Sequence, residues 1–176
     1  WIGTLNGLAR FNEQDQTFTT YTASDEPGSL SSNAANTILE DHTGMLWVGT
    51  FSGGLNRFDP QSETFQQFHH DPQDPNSLGS EAILAIYESE QGDIWVGTAG
   101  GGLNRYNPVE DHFTVYNEAD GLPNNVIYGI LEDAAGNLWL SSNRGVACFN
   151  SQTQTFRNYT TTEGLQSNEF NQGAAA

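Results

Sequence analysis

The sequence lacks lysine, has one cysteine and one methionine, and contains no apolar run that approaches the roughly 18 residues of a membrane span. Without a second cysteine, Cys148 can form neither an internal disulfide nor a CxxC metal site. We therefore expect it to be a small strand or core residue. The chain begins at Trp1 without a signal-peptide pattern, and we expect it to be a segment of a longer protein.

Positive charge is scarce. Five arginines are the only basic residues besides histidine, and they face 22 acidic residues, for a formal net charge of −17. Such a surface repels phosphate backbones and anionic lipid headgroups, so we expect no nucleic-acid partner and no direct membrane contact. Neutral, polyhydroxylated and cationic ligands remain compatible with it. The acids are spread among aromatics and glycines, and 36% of the 176 residues are hydrophobic, which predicts one folded domain.

An internal repeat runs through the whole chain. Its four tryptophans are Trp1, Trp47, Trp95 and Trp139, spaced 44 to 48 residues apart. Three further aromatic positions follow each tryptophan in nearly constant phase, and they are Phe11, Phe58, Tyr106 and Phe149, then Phe18, Phe65, Phe113 and Phe156, then Tyr21, Phe68, Tyr116 and Tyr159. Constant phasing of this kind indicates one supersecondary unit used four times.

Within each unit the hydrophobic period is close to two, and turn-forming residues interrupt it every 6 to 12 positions. The fourth unit predicts strands at 126–133, 138–142, 146–150 and 155–160. Four short antiparallel strands per repeat of about 45 residues are typical of a β-propeller blade. The predicted fold is therefore all-β, a propeller of four blade equivalents with essentially no helix. The tryptophans are interpreted as packing between blades.

The phase of the repeat also predicts how the chain is divided. The blade units are approximately 1–33, 34–81, 82–125 and 126–168, and 169–176 is the innermost strand of an incomplete blade. The first unit starts on its second strand and lacks an innermost one. Because unpaired edge strands tend to find partners, we expect 169–176 to pair with residues 1–4, in the same chain or in a second copy.

The string W-[IVL]-G-T-x-x-G-L-x-R-[FY], found at 1–11 and, with one inserted glycine, at 47–58 and 95–106, resembles the two-component regulator propeller repeat. The segment DGLPNNVIYGILEDAAGNLWLSSNRGV and the tail EGLQSNEFNQGAAA are similar to the same family. The fourth unit departs from the pattern, with Ser141 and Ser142 for Gly-Thr and Cys148 for the arginine. The resemblance implies a segment of a larger, about seven-bladed propeller in the periplasmic or extracellular sensor region of a hybrid histidine kinase.

Repeated charged residues have structural interpretations. Arg10, Arg57 and Arg105 recur beside an aromatic, and we expect them to form ion pairs with Glu40, Glu88 and Glu132. Asp41 and Asp133 lie in turns without the D-x-D-x-D spacing of a calcium loop, so we interpret them as Asx turns. His42, His69, His70 and His112 have no zinc-like arrangement. The sequence predicts neither a metal nor a cofactor.

Propellers generally bind ligands where interblade linkers and the loops between second and third strands meet. Those segments are rich in Asn, Ser, Asp and Gly, which suit hydroxylated ligands. The predicted ligand-binding residues are Asn6, Ser52, Asn143, Arg144, Asn33, His70, Asn125 and Asn168.

The predicted function is noncatalytic sensing of a small molecule, with a carbohydrate or oligosaccharide as the ligand class that the family resemblance favours. A propeller lyase or hydrolase is the alternative, although no nucleophile, dyad or triad signature is present. A structural or self-assembling scaffold is the third. The expected partners are the ligand and either the remaining propeller blades or a second copy of the chain.

Overall fold

A computed structural model describes residues 1–171. Regular structure is almost entirely β. The strands are β1 (Ile2–Thr4), β2 (Gly7–Asn12), β3 (Thr17–Tyr21), β4 (Ala35–Glu40), β5 (Leu46–Thr50), β6 (Leu55–Asp59), β7 (Thr64–Phe68), β8 (Ile83–Glu88), β9 (Ile94–Thr98), β10 (Leu103–Asn107), β11 (His112–Tyr116), β12 (Ile127–Glu132), β13 (Asn137–Ser142), β14 (Gly145–Asn150) and β15 (Thr155–Tyr159).

The strands form four antiparallel sheets in chain order: sheet 1 is β1–β3, sheet 2 is β4–β7, sheet 3 is β8–β11 and sheet 4 is β12–β15. Sheet 1 has three strands because the chain starts on the strand that carries the first tryptophan. Two 3-10 turns, Glu118–Asp120 and Thr161–Glu163, are the helical elements of residues 1–171. The all-β propeller prediction is confirmed, and the strands predicted for the fourth unit match those of sheet 4 within one residue at each end.

The described part of the tail, residues 169–171, is not in a strand, and β1 pairs with β2 alone among residues 1–171. Most of the segment predicted to be an innermost strand, 172–176, lies outside the described residues. Its pairing with the first strand therefore stays a prediction.

Each sheet buries alternate side chains on opposite faces, because successive residues of a strand point to opposite sides. At each of the three boundaries between sheets, one face of a sheet packs on a face of the next. In sheets 1, 2 and 3 the tryptophan lies on the face that packs on the next sheet and meets an aromatic ring there, with centroid distances of 5.3 Å for Trp1–Phe58, 5.0 Å for Trp47–Tyr106 and 5.7 Å for Trp95–Phe149. The edge-on geometry of these pairs is favourable for aromatic rings.

The repeated arginines do not pair with the expected glutamates, so that prediction is wrong. Arg10 reaches across to Glu63 of sheet 2 at 3.4 Å, and Arg57 donates to the Tyr106 hydroxyl of sheet 3 at 3.0 Å. Arg105 instead pairs with Asp93 of its own sheet at 2.8 Å.

The turn between the third and fourth strands explains why the three arginines have different partners. One residue of this turn has positive φ in every sheet, and the four are Gln16, Glu63, Asp111 and Gln154. In sheets 2 and 3 this turn residue is acidic. Glu63 pairs with Arg10 directly, whereas Asp111 accepts a hydrogen bond from the Tyr106 hydroxyl. In sheet 4 it is an uncharged glutamine, and Arg105 therefore turns back to an acid of its own sheet.

Two of the three expected glutamate partners, Glu88 and Glu132, have other roles. Glu88 accepts from the backbone N–H of His42 at 3.0 Å and from its ring nitrogen, across the boundary between sheets 2 and 3. Glu132 accepts from the backbone N–H of Glu90 at 2.8 Å, across the next boundary. Both glutamates join sheets at the turns between first and second strands.

We predict that Trp47→Ala lowers the free energy of unfolding by about 3–5 kcal/mol, because this side chain is 1% exposed and its removal leaves a cavity. Trp139→Ala is the matched control, since both indoles donate to an aspartate of their turn but Trp139 is only half-buried. We expect a clearly smaller loss for it in urea denaturation. Equal losses at the two positions would contradict the assignment of the energy to packing between sheets.

Candidate functional site

The linkers between sheets gather at one end of the molecule, together with the loops that join second and third strands. We call this the linker end, and the opposite end the turn end. One glycine lies at the start of the strand that follows the tryptophan-bearing segment in each sheet, namely β2, β6, β10 and β14, and it fixes the position of the linker. The four are Gly7, Gly54, Gly102 and Gly145, all at positive φ, and a Cβ there would lie 2.1–2.3 Å from a carbonyl oxygen of the fourth strand.

The backbone N–H of each of these glycines donates to the carbonyl oxygen of the residue that ends the following linker. The distances are 2.7 Å for Gly7–Asn33, 2.9 Å for Gly54–Glu81, 2.9 Å for Gly102–Asn125 and 2.6 Å for Gly145–Asn168. Because only glycine allows the strands to approach this closely, the sequence anchors every linker at the same point of its sheet.

Three predicted ligand-binding asparagines hold the linkers themselves. The side-chain oxygens of Asn33, Asn125 and Asn168 accept from the backbone N–H groups of Ala23, Glu118 and Thr161, at 2.7, 2.9 and 2.8 Å. Each bond ties the end of a linker to its start. In the structure their side-chain carbonyl oxygens hold the shape of the linkers. Their role in ligand binding stays a prediction.

The predicted loop residues are distributed over three sheets. Ser52 Oγ is 3.3 Å from Ser32 Oγ in sheet 2, Asn6 is in sheet 1, and Asn143 and Arg144 are exposed in sheet 4. Of the eight predicted residues, His70 and Asn125 line one cleft at the linker end.

This cleft has a volume of about 530 Å³ and lies between the linker that follows sheet 2 and the linker that follows sheet 3. Two glycines of the intervening loop, Gly100 and Gly101, form part of its wall. The polar side chains that line it, besides His70 and Asn125, are Asp71, Asp74, Ser77, Asn117 and Asp120. We refer to it below as the linker cleft.

The sequence analysis missed the three carboxylates of the linker cleft. One oxygen of each accepts a backbone N–H: Asp71 from Gln73, Asp74 from Asn76 and Asp120 from Asn117, all at 2.9 Å. Among residues 1–171 the second oxygen of each has no hydrogen-bond partner. These oxygens can therefore accept hydrogen bonds from a ligand. The signal in the sequence was the clustering of Asp and Pro at 71–75, which resembles ordinary turn composition.

His70 is fixed from two sides. Its backbone N–H donates to Glu81 Oε1 at 3.0 Å, and its ring Nδ1 lies 2.7 Å from the carbonyl oxygen of Leu78. Since a carbonyl only accepts, Nδ1 carries the proton. Nε2 is the ring nitrogen left for a ligand at the linker cleft.

The turns with Asp41 and Asp133 are Asx turns, as predicted. Asp133 accepts from the backbone N–H groups of Ala135 and Asn137, and its second oxygen accepts from the Trp139 indole at 2.9 Å. Asp41 binds the Trp47 indole in the same way at 2.8 Å. Among residues 1–171, no group of three or more His, Cys, Asp or Glu side chains is placed to hold a metal ion.

These hydrogen bonds shift the aspartate pKa values. The Trp139 indole and the turn amides lower the pKa of Asp133 from 3.8 to about 2. At Asp41 burial acts in the opposite direction, but the hydrogen bonds from Thr43 and Trp47 outweigh it and the pKa is lowered. Burial raises the pKa of the Cys148 thiol, as befits a half-buried strand residue.

We predict that Asp133 makes stability depend on acid pH. Because its folded-state pKa is depressed, its contribution is complete above about 3.8 and is lost as the pH falls through about 2. Asp133→Asn keeps one oxygen to accept from the turn amides, but it removes the charged oxygen that accepts from the Trp139 indole. We expect the variant to be less stable than the parent at neutral pH, with the gap closing in chemical denaturation as the pH approaches 2. A gap independent of pH would contradict this.

The family model described as two component regulator propeller matches residues 29–52, 77–100 and 121–144. Each match runs from the end of a linker through the first two strands of a sheet into the loop after them. Within residues 1–171, no helix is long and apolar enough to cross a membrane.

A curated relative, histidine kinase P4 of Formosa agariphila, is 33% identical over 181 residues, which cover 99% of this chain and 13% of the kinase. Two solved structures of extracellular domains, assigned to hybrid two-component systems of B. thetaiotaomicron, are similar over 91% and 90% of this chain and 23% of each of theirs. Their TM-scores are 0.82 and 0.76, at 24% and 25% identity. The chain thus spans less than a quarter of each of these relatives.

Virginiamycin B lyase from Staphylococcus aureus is also similar, with a TM-score of 0.65 at 16% identity, over 89% of this chain and 49% of the lyase. At this identity the likeness shows a shared fold alone.

Proposed function

The chain carries two-component regulator propeller repeats, and from that premise we propose that it is a noncatalytic, ligand-binding part of the extracytoplasmic sensor region of a two-component signalling protein. The sequence relative is named a histidine kinase, and the structural relatives are extracellular domains of two-component systems. The extracellular domains among these relatives support a periplasmic or extracellular location. The signalling output is assigned to parts of the protein beyond this segment.

The linker cleft is the observation that carries the ligand-binding role. It lies where two linkers and a glycine loop meet on rigid sheets, which is the kind of place where recognition usually occurs. Its volume of about 530 Å³ is in the range of small-ligand sites. The glycines of its wall leave the backbone accessible to a ligand.

The chemistry of the cleft favours a hydroxylated ligand. Its carboxylates present free oxygens to hydroxyl donors, and hydrogen bonds to ionised groups are roughly twice as strong as neutral ones. An anionic ligand is disfavoured by three carboxylates and no arginine or lysine in the lining. A carbohydrate or oligosaccharide satisfies both conditions, and we propose this class as the ligand.

We predict that the double variant Asp71→Asn, Asp74→Asn weakens oligosaccharide binding about tenfold, because asparagine keeps the Asx turns and removes the charge from the free acceptor. A panel of neutral oligosaccharides is screened by thermal shift against the parent chain. Isothermal titration then compares parent and variant for each stabilising compound.

Asp59→Asn is the matched control, since Asp59 makes the same turn contact, to the Gln61 N–H at 2.8 Å, at the turn end. We expect it to bind like the parent. Product analysis runs in parallel, and turnover that His70→Ala abolishes would replace the sensor by a lyase or hydrolase. Absence of binding across the panel would contradict the carbohydrate assignment and favour a scaffold.

A further inference from the structure

A second cleft lies at the turn end, between sheets 2 and 3, and we call it the turn cleft. Its volume is about 390 Å³, in the range of small-ligand sites. The turn between β4 and β5 forms one wall, and the turn between β8 and β9 forms the other. Each of these sheets has a packed neighbour on both sides, so both walls of the turn cleft stand on well-packed strands.

Much of the lining of the turn cleft is apolar or aromatic. The residues of this kind are Met45, Trp47, Ile94, Tyr106 and Pro108. Trp47, Ile94 and Tyr106 are buried in the core between the two sheets, while Met45 is half-buried and Pro108 is exposed. An apolar ligand body therefore meets a matching surface that the packing of the two sheets holds in place.

Arg57 brings a positive charge to this lining. Its guanidinium carbon lies 5.6 Å from the centre of the Trp47 ring and 5.7 Å from that of the Tyr106 ring. It donates to the Tyr106 hydroxyl at 3.0 Å and to Gln66 Oε1 at 2.6 Å. Both acceptors are uncharged, and both donate in turn to Asp111. Among residues 1–171, Arg57 itself forms no ion pair.

One difference between the repeats explains why Arg57 lacks a carboxylate partner. Asp93 lies two residues before the tryptophan of sheet 3, and its two oxygens accept from Arg105 at 2.8 and 2.9 Å. The same position of sheet 2 is Met45, although the tryptophan and the arginine have the same register in both sheets. A thioether cannot neutralise a guanidinium, so the charge that Asp93 balances in sheet 3 stays unbalanced in sheet 2.

The other charged groups of the turn cleft already have partners. Asp41 accepts from the indole of its own sheet through one oxygen and from amides of its turn through the other. Both oxygens of Asp93 are taken by Arg105. Nδ1 of His42 is bonded to Glu88 across the boundary between the sheets.

Arg57 keeps further N–H donors that make no hydrogen bond within residues 1–171. A guanidinium pairs with a carboxylate through charge-assisted hydrogen bonds, which are stronger than neutral ones. From this unpaired charge and the apolar lining, we propose that the turn cleft binds a small carboxylate with an apolar or aromatic body. The carboxylate takes the place that Asp93 holds beside Arg105 in sheet 3, and the body lies on Met45. This site is separate from the linker cleft, which is at the opposite end.

The test uses phenylacetate and hexanoate as probes, with phenylacetamide and hexanamide as their uncharged analogues. Met45 is the sole methionine of the chain, so the NMR signal of its isotope-labelled methyl group reports directly on the turn cleft. Loss of that signal in Met45→Leu identifies it. We expect the acids to shift it and the amides to bind about tenfold more weakly, because they lack the charged acceptor.

Met45→Asp gives sheet 2 the acid that sheet 3 carries at this position. We expect the new carboxylate to pair with Arg57 and to weaken binding of the acids at least about tenfold in calorimetric titration, without a loss of thermal stability. Met45→Leu keeps the apolar lining and should bind like the parent. Arg57→Gln should bind acid and amide equally. Arg10→Gln is its control, since Arg10 pairs with Glu63 at another boundary, and it should bind like the parent.

A Met45 methyl signal that no probe shifts would overturn the proposal, as would equal affinity of the parent for acid and amide. Acid binding that persists unchanged in Met45→Asp would also overturn it. The double variant Asp71→Asn, Asp74→Asn alters the linker cleft alone and should bind the acids like the parent. Failure of the carbohydrate assignment and failure of this proposal are therefore distinguishable.

Discussion

Packing of a tryptophan against an aromatic ring of the next sheet, at the three boundaries between sheets, is the interaction on which the rest of the structure depends. It requires the two faces of every sheet to differ, with the indole on one and the accepting aromatic on the other, so a shift of one residue in register would place both on the wrong sides. It also requires the indole nitrogen to find an acceptor in a largely apolar boundary. Asp41 and Asp133, in the turns between first and second strands, accept from the indoles of Trp47 and Trp139. The same aspartate side chain therefore shapes the turn and provides the hydrogen-bond acceptor that the indole needs.

Sheet packing alone would leave the linkers free, and the glycine at the start of each third strand removes that freedom. Its N–H fixes the last residue of a linker, and an asparagine side chain in three of the four cases fixes the first. The linker cleft is a result of this double anchorage. Its aspartates are held in turns whose amides occupy one oxygen and orient the other, so the acceptors are arranged before a ligand arrives, which reduces the ordering cost of binding.

The fold was predictable from the sequence because its determinants repeat: tryptophans, aromatics and glycines in constant phase define the sheets, and the strand ends predicted for the fourth unit match within one residue. The arginine partners were not predictable in the same way. The glutamates at 40, 88 and 132 repeat more regularly, but the acids that the arginines use depend on a turn residue that is Glu63 in one sheet and Gln154 in another. The candidate site was half predictable. Composition identified the linkers, but it could not distinguish Asn33, which closes a linker, from Asp74, which faces the cleft.

Nearest-neighbour packing makes the molecule a one-dimensional series of coupled units, as in other repeat proteins. Sheets 2 and 3 pack on a neighbouring sheet through both faces, and we expect local opening of these sheets to cost more free energy than opening of the loops. The linker cleft draws its walls from the linkers on both sides of sheet 3, an inner sheet. The cleft is therefore carried by a sheet that is packed on both faces, and we expect the backbone amides of that sheet to exchange slowly.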